Sequence, residues 1–123
     1  MRAAFLLLLA STAFADSPAA GVWRGEALCT DHASGCRNES VVYYIRDVPD
    51  RPGVLFIRAD KIVDGQAITM GSGDWQYDRT RRTIEWRMPQ RVWLLHVDGN
   101  RIEGSLTLTD GTVFRKMTLK KDD

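Results

Sequence analysis

Beyond residue 16, apolar and polar side chains alternate with a period of two. No window sustains the 3.6-residue period of a helix, so the repeated element is the β-strand. The predicted strands are residues 22–29, 39–46, 54–59, 74–79, 83–88, 92–97, 101–109 and 112–119. Two short runs, 62–63 and 67–70, flank Asp64-Gly65, a tight hairpin signal. Val48-Pro49-Asp50-Arg51-Pro52-Gly53 is a break, because proline cannot donate to a ladder. Gly71-Ser72-Gly73 reads as a hinge, and Asp98-Gly99-Asn100 and Asp110-Gly111 as tight turns. Alternation is cleanest over 83–88, where Ile84, Trp86 and Met88 share one face and Thr83, Glu85 and Arg87 the other.

Eight or nine short strands joined by hairpins must lie antiparallel to their neighbours. A sheet of that size tends to curl and close, which removes its exposed edges. The expected fold is therefore all-β, an antiparallel up-and-down barrel of about eight strands, with a two-sheet sandwich as the alternative. Residues 41–45, 54–57 and 92–97 are apolar on both faces. A barrel strand wetted on one side should alternate. Such strands imply a covered outer face or a lined lumen. The candidates for the cover are residues 17–20, a dimer partner or a target protein.

The N-terminus changes the setting of this domain. Arg2, an apolar run with four consecutive leucines, and Ala13-Phe14-Ala15 together read as a signal peptide over residues 1–15. The run is shorter than the roughly 20 residues a membrane-spanning helix needs. The expected organisation is a leader, 1–15, and one barrel domain, 16–123, exported to a bacterial periplasm, with no membrane span. The full chain carries 17 basic and 16 acidic residues, and loss of Arg2 brings them into balance. A neutral domain has no bulk attraction for nucleic acid. In an exported chain the lone pair Cys29 and Cys36 reads as a disulfide closing a short loop. A redox or metal role for the pair with His32 is the lesser reading, since the spacing is not C-x-x-C and the ligand set is incomplete.

Gly21-Val22-Trp23-Arg24-Gly25 opens the first strand. It resembles the G-x-W start of lipocalins and their calycin relatives. The resemblance implies an eight-stranded barrel with Trp23 as a structural plug at one end, beneath the N-terminal segment. The chain is shorter than a true lipocalin and has no C-terminal helix signal. In plan it is also similar to periplasmic inhibitors of metalloproteases and of lysozyme, although no inhibitory loop matches residue by residue.

Catalysis is not expected. His32 and His96 are the two histidines, Met70-Gly71-Ser72-Gly73 lacks the spacing of a nucleophile elbow, and no phosphate loop or metal motif appears. No cofactor is implied. Arg79, Arg81, Arg82, Arg87 and Arg91 cluster among tryptophans. They read either as an anion-gripping patch or, preferably, as outward residues paired with Asp74, Asp78 and Glu85. The expected function is binding of a small apolar or amphipathic ligand. Trp75, Tyr77, Trp86 and Trp93 would form apolar walls, and Arg87 would meet an acidic head group. The alternative is a periplasmic inhibitor or envelope interaction module that uses the cysteine-ringed loop 30–35, which a disulfide would hold ready for binding.

Overall fold

The structure, a computed structural model, describes residues 17–31 and 35–123. The expected leader, residues 1–15, and His32 lie outside the described residues. Eight strands follow in order: β1 (Gly21–Cys29), β2 (Glu39–Asp47), β3 (Val54–Val63), β4 (Gln66–Asp78), β5 (Thr83–Met88), β6 (Arg91–Asp98), β7 (Arg101–Leu108) and β8 (Val113–Lys121). Each pairs antiparallel with the next, and β1 pairs with β8, so the meander closes into a barrel. This is the architecture expected of the calycin plan.

Alternation sets the core. Trp23 and Ala27 of β1, Val41, Tyr43 and Ile45 of β2, Leu55 and Ile57 of β3, and Trp75 and Tyr77 of β4 point inward. Ile84, Leu95, Val97, Ile102, Met117 and Leu119 complete the filling from β5 to β8. Trp23 is fully buried and donates its indole N–H to the Ala19 carbonyl at 2.9 Å. The segment 17–20 folds over that end of the barrel. Its Ser17 amide is held by Asp47 at 2.8 Å, and its Pro18 carbonyl accepts from Lys121 Nζ. Residues 17–20 thus cap the closed end and do not cover the outer wall.

The outer wall of β2 and β3 is covered by the chain's own arginines. The Arg58 guanidinium lies 4.1 Å from the Tyr44 ring centroid, and Arg46 lies 4.5 Å from that of Phe56. Stacking of this kind shields apolar rings while keeping the charge wet. The two-sided hydrophobicity of these strands therefore has an intramolecular cause.

Two sequence expectations change in detail. Gly71-Ser72-Gly73 is not a hinge, because β4 runs through it without interruption. The irregularity is a bulge: Gly71 pairs with Ala59 and Thr69 with Asp60, which leaves Met70 as the extra residue. The predicted short strands at 54–59 and 62–63 are likewise one strand.

Two glycines are required by close packing. A Cβ on Gly25 would lie 1.8 Å from the Thr118 carbonyl oxygen across the β1–β8 seam. A Cβ on Gly104 would lie 2.3 Å from Leu95 Cδ2. Gly25→Ala is expected to cost about 1–3 kcal/mol, the usual cost of overpacking, since a backbone atom cannot swing aside. Chemical denaturation of the variant checks this; unchanged stability would show that the seam is looser than described.

Candidate functional site

The two ends of the barrel differ. The closed end carries residues 17–20, Trp23 and the turns after β2, β4 and β6. The open end carries the cysteine loop and the turns after β3, β5 and β7. At the open end inward side chains stop short and leave a cavity of about 250 Å³. Tyr43, Trp75, Trp86 and Trp93 are among its lining residues, with Arg91 and Arg115 also in its wall. Trp75 and Trp86 meet at a tilt, with centroids 5.4 Å apart and 47° between planes, and Tyr43 meets Trp75 edge-on at 6.4 Å. These contacts make a continuous aromatic wall. Burial holds the Tyr43 phenol far above its ordinary range, so it stays neutral.

Of the ligand residues expected from sequence, the structure brings Trp75, Trp86 and Trp93 to this cavity. Tyr77 does not line it; it packs in the core two residues closer to the closed end, where burial raises its pKa. Arg87 does not line it either. Arg87 follows the outward parity of β5 and pairs with the Glu85 carboxylate on the outer wall. Two other arginines sit at the mouth. Arg91 and Arg115 fall on the inward parity of β6 and β8, in step with Trp93 and Met117.

Those two arginines have different surroundings. Arg115 is a strut, with its side chain only 13% exposed. It donates to the Arg37 carbonyl at 3.0 Å, to the Ala27 carbonyl at 3.3 Å and to Cys36 Sγ, and it lies 3.6 Å from the Glu39 carboxylate. It thereby ties the base of the cysteine loop to β8. The disulfide Cys29–Cys36 is formed, with Cα atoms 5.9 Å apart. Closing so short a ring contributes about 2.5 kcal/mol in the loop-entropy model. Arg91, by contrast, has no carboxylate within salt-bridge distance among the described residues. Of the two arginines that line the cavity, it is the one without a carboxylate partner.

The rest of the arginine cluster is dispersed. Arg79 reaches Asp47 at 3.8 Å and Arg81 reaches Asp78 at 3.9 Å, both at the closed end, while Asp74 is held by Arg51 at 2.8 Å. Adjacency in sequence placed these arginines at opposite ends of the barrel, because β5 runs the length of the wall between them. A second hollow, of about 370 Å³, lies on the outer wall beside Tyr44 and Phe56, and its aromatic floor already lies under Arg46 and Arg58.

Among the described residues no group of three histidine, cysteine, aspartate or glutamate side chains could hold a metal. Among the described residues no helix is long and apolar enough to cross a membrane. No protein-family model matches the chain, and no curated protein is significantly similar to it.

Proposed function

We propose that the protein is an exported, non-enzymatic carrier of a small anionic amphiphile held at the open end of the barrel. The observation that carries this reading is the pairing of an aromatic cavity with an arginine that has no partner of its own. Trp75, Trp86 and Trp93 supply apolar contact, and Arg91 at the rim supplies a charge for a carboxylate or similar head group. Ligand sites are built this way, with many apolar walls and few placed polar groups.

The volume sets the size of the ligand. At about 250 Å³ the cavity lies just under the roughly 300–1,000 Å³ of sites for drug-sized molecules. It suits a short or medium chain, or one end of a longer chain, and the filled closed end leaves no room for deeper entry. Trp23, Leu55, Ile84 and Leu119 are fully buried there.

Titration of the protein with a medium-chain carboxylate tests the proposal. The three wall tryptophans report through their emission, and saturable quenching in the micromolar range is the expected result. A flat titration across carboxylates of several chain lengths overturns it.

A further inference from the structure

The barrel is zipped unevenly. Only Gln76, Tyr77 and Asp78 of β4 pair with β5, opposite Glu85, Ile84 and Thr83. Above them the two strands part. Residues 66–75 of β4 pair with β3 alone among the described residues, and Trp86, Arg87 and Met88 of β5 pair with β6 alone. Trp75 and Trp86 touch at a tilt across the opening of this fork. The far edge of β4 therefore presents a row of unsatisfied backbone donors and acceptors, the usual template for another strand.

This edge has few of the guards that usually block pairing. Residues 66–73 read Gln-Ala-Ile-Thr-Met-Gly-Ser-Gly, with no charge and no proline. Ile68 and Met70 are 46% and 44% exposed, and Trp86 beside them is 44% exposed. The bulge at Met70 is the one irregularity, and its side chain turns to the cavity wall. The cavity is also incomplete here. Gly71 and Gly73 line it, and a Cβ on either would meet nothing within 4 Å.

We propose that a second copy of this chain pairs on the edge, β4 against β4 in antiparallel register, so that each copy completes the other's open wall. An uncharged run can face itself without like-charge repulsion. Antiparallel pairing about a two-fold axis is self-complementary and closed, so both free edges are used and no fibre grows. Pairing residues 66–73 with themselves end to end sets Ile68 opposite Gly71 of the partner subunit. Ile68 belongs to the inward parity of β4, since it pairs with Lys61, two residues from the inward Ala59. Its side chain then covers the bare glycine and shields Trp86. The interface is short, so association depends on concentration. The proposal does not depend on what the cavity holds.

Sedimentation velocity of the purified protein over a wide concentration range is the test. A monomer–dimer equilibrium is expected for the wild type. Thr69→Lys is expected to give monomer, because it places two ammonium groups beside the two-fold axis. Within its own chain the same lysine faces Asp60, so the barrel keeps its fold. Leu28→Lys, at an exposed apolar position on β1, is the control and should leave the dimer intact. Hydrogen exchange gives a readout without a variant: amides of residues 66–73 should gain protection as concentration rises. A wild type that stays monomeric, or a dimer that Thr69→Lys leaves intact, overturns the proposal. An edge that gains protection only with an extended peptide from another protein overturns it as well.

Discussion

Replacing Trp23 with alanine is expected to lower the unfolding free energy by about 3–5 kcal/mol, the range for truncating a buried aromatic side chain. That is a large share of the roughly 5–15 kcal/mol that holds a typical domain folded. The ring is completely buried and closes one end of the barrel beneath residues 17–20. The space can be refilled only in part, because Ile45, Leu55 and Leu119 of the same core belong to paired strands. The indole also holds the cap through its bond to the Ala19 carbonyl. Trp23→Phe should keep most of the packing but leave the buried Ala19 carbonyl without its donor, at about 1–3 kcal/mol for an unsatisfied buried acceptor. Thermal and urea unfolding measure both variants. A loss below about 1 kcal/mol for the alanine variant would show that the closed end is not packed as described.

Arg91→Ala is expected to weaken binding of a carboxylate amphiphile by about 10–100-fold. A hydrogen bond to a charged group contributes about 1.5–3 kcal/mol, and each 1.4 kcal/mol is about tenfold in affinity. A neutral alcohol of the same chain length should bind the variant and the wild type alike, because the aromatic wall is unchanged. Arg87→Ala is the informative control. Its guanidinium is on the outer wall and paired with Glu85, so affinity should not move. If Arg87→Ala weakens binding and Arg91→Ala does not, the ligand lies outside the mouth and the proposed site is wrong. Fluorescence titration separates these outcomes, and melting temperatures confirm that both variants are folded.

The contrast between Arg87 and Arg91 shows where sequence reading stopped short. Period-two alternation already placed Arg87 opposite Trp86 and Met88, on the wet face of its strand. The same count places Arg91 with Trp93 and Arg115 with Met117. Following parity through each strand was enough to find the mouth arginines, whereas proximity in sequence to the tryptophans was misleading. The Gly-Ser-Gly run misled in another way. It looks like a break, yet a strand tolerates such residues where its edge is free and no neighbour needs their side chains. Residues 32–34 of the cysteine loop, to which the alternative inhibitor reading points, lie outside the described residues.

The chain by itself determined most of the strands, their antiparallel order, the inward face of the strands that alternate cleanly and the cysteine pairing. Each of these follows from local rules: a two-residue period, turn chemistry and a short loop between two thiols. Tertiary structure alone decided which end of the barrel is filled and which is hollow. It also decided that Arg46 and Arg58 roof their own aromatic neighbours, that Arg91 lacks a partner, and that β4 and β5 part above Gln76. These depend on barrel closure, which sets how far inward side chains reach across the lumen and which strands run out of partners. No local pattern encodes that distance, because it is a property of all eight strands together.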